Sequence, residues 1–513
     1  MYIFISIVII LLFISIYKIY EININKKEDD SITYTQEKEY IIDTITLGIS
    51  KYDTINPILS LNKQAQQVSK IIFEPLINVE YNYKLSPCLA TEWSKINNTT
   101  YIIKLRENVL WHDNSKFTSK DIKYTIDKIK EKNSIYVSNI NNIETLEIID
   151  DYTIKIILKQ ETPFFEYNLT FPIIKDELYV GTGKYKLESS NNSKLILTEN
   201  TNWWNKQGEF NLKKVEINLY DNSSKLYNDF KLEEIDLIST SNFKTDEYIG
   251  KIGFNRNEYI GREYDFIAIN TEEDLLKNKE IRQAIKCGIS KEEIIFEVYN
   301  NTYFASEFPL DYGNYLYDKG NEVLVNYNVK NILNEAGWKF DGNIWRKNEQ
   351  NKSLKTEISL MVNSQNEFQV QVAEKIKQQL ENEGFKINIL KVAENVYDNN
   401  VKNRNYEIAL IGINASFNPN LYIFFGDNNL SNYKNESIDE LLEEIINTND
   451  ENTVKERIRE IANIYLEEVP YISLYYNRNL VAYNKNLVAE ITPNWYNIFY
   501  NIENWYIKEE KIN

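Results

Sequence analysis

The chain has 513 residues, 43% of them hydrophobic and 26% charged. That length is too great for one core, so two or three domains are expected, and the balance excludes a disordered chain. A net charge of −18 makes a surface that repels phosphate backbones and excludes nucleic acid as a partner.

Residues Tyr2 to Tyr17 are uncharged and rich in Ile, Leu, Val and Phe, and Lys18 ends the run. The run is short for a full membrane span and long for a secretory segment. Residues 1–20 are expected to form an N-terminal hydrophobic helix, either an uncleaved membrane anchor or a signal segment, with the anchor preferred. Lys18, Lys26 and Lys27 would favour a cytoplasmic C-terminal side, but long domains translocate largely regardless of such charges. Residues 21–40 are polar and read as a linker. The folded part starts near Ile41, and Thr44 to Ile49 alternates like an edge strand.

Order signals are densest between Ile71 and Lys132. Phe73-Glu74-Pro75-Leu76 closes an apolar run, and Leu85-Ser86-Pro87 and Leu89 to Trp93 follow. Tyr101 to Arg106 reads as a strand. Trp111 to Asn114 is a turn, with Asn114 suited to a left-handed conformation. Thr118-Ser119 caps a helix carrying Ile122, Ile126 and Ile129 on one face. Leu146 to Leu158 reads as a hairpin turning at Asp150-Asp151. Gly181-Thr182-Gly183 precedes a strand instead of a helix, which excludes a phosphate loop. Its glycines suit a tight crossing.

Further on, the strand Phe266 to Asn270 leads to a helix around Glu280 to Ile285. Gly288 is expected to end it in a left-handed conformation, and Ser290 with Glu293 to form the next capping box. A βαβ unit follows: strand Ile358 to Val362, a helix with Ala373, Ile376 and Leu380, and a strand with Phe385, Ile387 and Ile389. Tyr406 to Gly412 reads as a strand, Ser437 and Glu440 as a helix cap, and Val454, Ile458 and Ile461 as one face of a further helix. Val469 to Tyr476 reads as a late strand.

Little in this chain suggests catalysis. Cys88 and Cys287 form no disulfide framework and no metal-ligand spacing with the single histidine, His112. Both cysteines read as small buried residues, and His112 as a turn residue. There is no Ser/His/Asp or Cys/His set, and no pair of carboxylates stands out. Neither an enzymatic activity nor a cofactor or metal is expected.

In order and spacing, Phe73 to Leu76, Pro87 to Trp93, Tyr101 to Arg106, His112 to Asn114 and Thr118 to Asp121 closely resemble one family. It comprises the solute-binding proteins (family 5) of oligopeptide, dipeptide and nickel ABC importers. Gly181 to Tyr185, Glu280 to Ile285, Asn331 to Trp338 and Tyr406 to Gly412 extend the resemblance, which runs from Ile41 to the C-terminus. Asn114 stands where Gly is usual and Glu407 where Asp is usual. The resemblance implies an α/β, periplasmic-binding-protein-like type II fold: two lobes with a hinge and an additional inserted domain. By that analogy, 41–72, 177–270 and 477–513 form lobe I, 73–176 the inserted domain and 271–476 lobe II, with strands crossing near Asn270 and Asn477.

The resemblance further implies a monomeric extracytoplasmic binding protein. It would capture peptides or peptide-like solutes between the lobes and deliver them to ABC permease subunits. It would sit on the outer face of a bacterial plasma membrane, held by the N-terminal segment or secreted if that is cleaved. The cysteine that anchors many members as lipoproteins is missing after the apolar run. That motivates an alternative, a membrane-anchored solute sensor on the same fold without transport. In peptide-binding members an Asp after the Tyr-Asp strand pairs with the peptide amino terminus. Ser416 stands there, and a hydroxyl cannot neutralise an ammonium. Asn414, Ser416 and Tyr136 are the candidate cleft residues.

Overall fold

An eleven-stranded mixed sheet runs through the molecule. The computed structural model describes residues 41–508, apart from 133, 176–178, 251–252, 319–327 and 350–351. The helix expected over 1–20 and the linker over 21–40 lie outside the described residues. Among those residues no helix is long and apolar enough to cross a membrane.

One half of the sheet orders Tyr185–Ser190, Lys194–Glu199, Lys214–Tyr220, Thr44–Ser50 and Leu237–Thr240; the other orders Lys386–Val392, Glu357–Asn363 and Ile408–Asn414. Two long antiparallel strands, Phe254–Ile269 and Tyr471–Asn484, join the halves. Thr44–Ser50 is therefore interior, with Lys214–Tyr220 and Leu237–Thr240 parallel on its two sides, and not the edge strand that its alternation suggests. Its inward residues Ile45 and Leu47 enter one core, while Gly48 on the other face makes room for Leu226 and Ile235.

Sequence logic holds at most local elements. Ile122, Ile126 and Ile129 are buried along helix Ser119–Glu131, where the Thr118 N–H donates to the Asp121 carboxylate at 2.8 Å. Ile143–Asp150 and Thr153–Leu158 form the hairpin. Glu357–Asn363, helix Glu367–Asn382 and Lys386–Val392 form the parallel βαβ unit. Asn114 is left-handed, with φ 68°. Three further expectations fail. Gly288 has φ −80° and ends its helix without a left-handed turn. Asn435, not Ser437, caps helix Glu436–Asn447, its side chain accepting from the Ile438 N–H. Cys88 is buried, whereas Cys287 is exposed at a helix end.

The four-stranded sheet of Ala90–Asn97, Thr100–Leu105, Thr153–Leu158 and Ile143–Asp150 shares one continuous apolar cluster with the first half of the large sheet. Ile103, Ile154 and Phe165 fall in it with Ile45, Val215 and Trp505. Buried polar groups fasten this junction. The Glu74 carboxylate accepts from the Trp203 indole at 2.9 Å and from the Trp204 indole at 3.0 and 3.1 Å. His112 Nδ1 accepts from the Gly181 N–H at 3.2 Å, which leaves Nε2–H to donate to the Gly183 carbonyl at 3.0 Å. Burial pulls the imidazole pKa down to about 4, so the ring stays neutral.

The glycines there serve close approach. The Gly183 N–H donates to the Ile72 carbonyl at 2.9 Å. A Cβ would lie 2.7 Å from that oxygen at Gly183 and 1.9 Å from it at Gly181. Gly183→Ala is expected to destabilise the protein by about 2 kcal/mol, and Gly181→Ala by more, because backbone rather than side chain must move. Urea unfolding midpoints would measure both.

Candidate functional site

Where the long strands pass from one half of the sheet to the other, their register breaks. Ile260 faces Arg478, but the next pair is Tyr264 with Tyr476. Gly261, Arg262 and Glu263 thus stand opposite Asn477 alone. Asn477 Oδ1 fills the bulge, accepting from the Glu263 N–H at 2.9 Å. A Cβ on Gly261 would fall 2.1 Å from that oxygen, so a larger residue would displace the Asn477 amide from the bulge. Bulges of this kind bend a strand and re-aim its side chains. Asn270, near which the sequence places a crossing, lies just past the end of its strand, where its side chain accepts from Asn432 and donates to the Arg404 carbonyl.

Beside the bulge lies a cavity of about 1770 Å³. Helix Lys63–Ile72, residues 135–139, the loop 239–244 and the loop 495–499 line it from one side, and residues 298–303 and 414–418 from the other. All three candidate residues from the sequence lie on its wall. Tyr136 sits near Arg262, with burial pushing its phenol up to about 12. Asn414 pairs with Glu263 at the end of strand Ile408–Asn414. The Ser416 hydroxyl accepts from the Asn418 N–H at 3.1 Å. Phe417, between them in this loop, packs against Trp495 at 5.1 Å, Tyr496 at 5.2 Å and Tyr167 at 6.0 Å. Those rings close one end of the cavity.

Two cations in the wall escape sequence reading. Arg262 Nε donates to the Ala415 carbonyl at 2.9 Å, and its guanidinium lies 4.6 Å from the Trp495 ring centre. Lys70 Nζ lies 3.6 Å from the Tyr496 ring centre. One helical turn earlier, Gln67 fixes the aromatic loop: its amide donates to the Trp495 carbonyl at 2.9 Å and accepts from the Ile498 N–H at 3.0 Å. By sequence, Lys70 is an unexceptional last-turn lysine, and only Gly261 hints that the strand is interrupted near Arg262.

The family is now decided by comparison. Residues 84–435 match the model of the bacterial extracellular solute-binding proteins, family 5. The chain belongs to that family. Its members are binding proteins of transport systems, not enzymes. Among relatives of this family-5 chain, the oligopeptide-binding protein AppA of Bacillus subtilis is 21% identical, with 91% of each chain covered. The dipeptide-binding protein DppE of the same organism is 21% identical over 85% of this chain and 86% of its own. Among solved structures, the unliganded open form of the periplasmic murein tripeptide-binding protein MppA has a TM-score of 0.78 at 16% identity, covering 93% of this chain and all of its own. A nickel ABC transporter protein from Bacillus halodurans scores 0.76 at 18% identity, covering 89% and 98%. These likenesses show a periplasmic-binding-protein-like α/β fold.

Just behind the bulge, Asp265 is half-buried beside Tyr475, Tyr299 and Glu263, and desolvation pushes its carboxyl up to about 7 despite a hydrogen bond from Tyr475. The folded state thus holds this proton more tightly than the unfolded chain does. Its contribution to stability is complete below about pH 4 and lost as pH rises to about 7. Asp265→Asn, a neutral isostere that can still accept from Tyr475, is expected to remove that dependence. The gap between variant and parent should widen by on the order of 3 kcal/mol from pH 4 to 7, read from urea unfolding at each pH.

Proposed function

We propose that this family-5 protein captures a peptide or peptide-like solute outside the cytoplasm and presents it to the permease subunits of an ABC importer. The observation that carries the reading is the cavity, walled by segments from both halves of a sheet that only two bulged strands connect. On this reading, 41–72, 177–270 and 477–513 act as lobe I, with 73–176 inserted, and 271–476 act as lobe II. The lobes close about the bulge at Asn477. Segment 1–20 holds a monomer at the outer face of the membrane.

The physical logic needs no chemical step. Closure strips water from the solute, so a few polar groups suffice to orient it. An extended backbone can be satisfied by strand-like pairing that ignores side-chain identity. Asn414 and Ser416 at the end of one strand, and Tyr136 across the cavity, are the groups we assign to orientation. A volume of about 1770 Å³ exceeds the roughly 300–1,000 Å³ of most small-molecule sites and suits an extended solute. The solute shifts the open–closed balance only by its difference in affinity for the two states. The names of relatives support the substrate class, including a structure of AppA from Bacillus subtilis in complex with a nonapeptide.

The test is to purify the full-length chain, release its solute by heat and identify it by mass spectrometry. A mixture of short peptides is expected; a sugar or a metal complex alone would overturn the substrate class. Returning the released solute should reduce the radius of gyration in X-ray scattering, and an unchanged value would overturn closure.

A further inference from the structure

Charge is distributed unevenly in this molecule. The chain as a whole carries −18, yet five basic side chains and two acidic ones line the cavity among the described residues. Both acids have partners: Asp221 pairs with Lys51 at 2.8 Å, and Glu263 with Lys63 at 3.8 Å. Arg478 is likewise paired, with Glu258. Lys70, Lys244 and Arg262 have no carboxylate partner among the described residues, and of these Lys70 and Arg262 lie against aromatic rings of the wall.

Lys70 is the more unusual. Lys70 is half-buried, and its ammonium lies against the face of Tyr496. Burial pulls its pKa down to about 7, with no opposing acid. A ring face offsets part of the cost of burying a cation, but not the full cost. A free ammonium at the end of helix Lys63–Ile72 gains modestly from the helix dipole. Arg262 spends Nε on the Ala415 carbonyl, which orients the guanidinium and leaves its two terminal amino groups without an acceptor among the described residues. Burial pulls its pKa down too, with the Tyr136 phenol as the only opposing group.

The two cations belong to one construction. Lys70 rests on Tyr496 and Arg262 on Trp495, consecutive residues of a loop that Gln67 ties to the helix carrying Lys70. Phe417 packs against both rings, and Tyr136 interacts with both Arg262 and Tyr496. The bulge at Asn477 sets the direction of Arg262.

Resting on the reading of this cavity as the solute site, we propose that Lys70 and Arg262 form the receiving end for a negatively charged group of the solute. The solute is therefore held by an anionic end, and both acids of the wall, Asp221 and Glu263, already have partners. Ser416 agrees with this, since it offers a hydroxyl where a carboxylate would be needed to neutralise an amine. A carboxylate between an ammonium and a guanidinium would make charge-assisted hydrogen bonds with both. It would also supply the counter-charge that the apolar wall withholds.

The test uses the full-length chain, stripped of solute, and three tetrapeptide pools built without Asp or Glu: free-ended, N-acetylated and C-terminally amidated. Binding is measured by native mass spectrometry and titration calorimetry. The N-acetylated pool is expected to bind at least as well as the free-ended pool, and the amidated pool at least tenfold more weakly. Lys70→Gln and Arg262→Gln should each weaken the free-ended pool at least tenfold and erase the preference for acid over amide. An amidated pool that binds as well as the acid overturns the inference and leaves peptide capture standing. So does an affinity unchanged in Lys70→Gln.

If no pool binds, peptide capture fails, and the solute that co-purifies with the chain decides the inference: an anion upholds it, a neutral or cationic solute overturns it. Folding is controlled by Lys70→Met. Because that variant removes a desolvated charge, its solute-free thermal midpoint should rise, on the order of 5 °C. A fall would assign Lys70 a structural role and overturn the proposal.

Discussion

Three residues facing one across a pair of strands set the geometry of this molecule. Phe254–Ile269 and Tyr471–Asn484 are paired on both sides of the bulge, with a second register shift between Asp265 and Phe266, so each half of the sheet is anchored by a ladder. Between the ladders, the only side chain that replaces the missing backbone partner is Asn477. The strand bends there, and the space beside the bend becomes the cavity. The same bend aims Arg262, because a residue in a bulge no longer follows the alternation of its strand. A regular ladder at this point would have produced a flatter sheet with no reason for a cavity on its face.

A second constraint lies where helix Lys63–Ile72 ends. Its last carbonyls accept Gly183, its next residues lead to Glu74, and its last two turns carry Gln67 and Lys70. The helix is held at one end by a neutral histidine, two glycines and a carboxylate shared by two indoles. Its last two turns hold the aromatic loop. Positioning of the cavity wall thus depends on hydrogen-bonded polar groups at this junction, which specify one arrangement where an apolar junction would tolerate several.

The sequence made the repeated local patterns legible, because short-range physics alone determines them. The helix stripe of Ile122, Ile126 and Ile129, the hairpin at Asp150-Asp151 and the βαβ unit need only neighbours a few residues away. Thr44 to Ile49 misleads because its polar positions, Thr44 and Thr46, lie in a parallel interior strand where the backbone of Thr46 is bonded to Asp236. Asn435 outcompetes Ser437 because both can cap and the helix begins one residue after the asparagine. Cys287 ends on the surface because the apolar stripe of its helix runs through Ile281, Ala284 and Ile285 instead. At the site, Tyr136, Asn414 and Ser416 were reachable by resemblance. Lys70 and Arg262 were not, since their placement depends on aromatic residues more than two hundred positions away.

Trp495 has one more consequence. The chain contains eight tryptophans, and among them only Trp495 lines the cavity. The Trp203 and Trp204 indoles are engaged with Glu74, and that of Trp345 with the Glu383 carbonyl. Filling the cavity therefore changes the surroundings of a single indole, one already stacked under a guanidinium. The protein's own ultraviolet emission becomes a meter of occupancy that needs no attached dye.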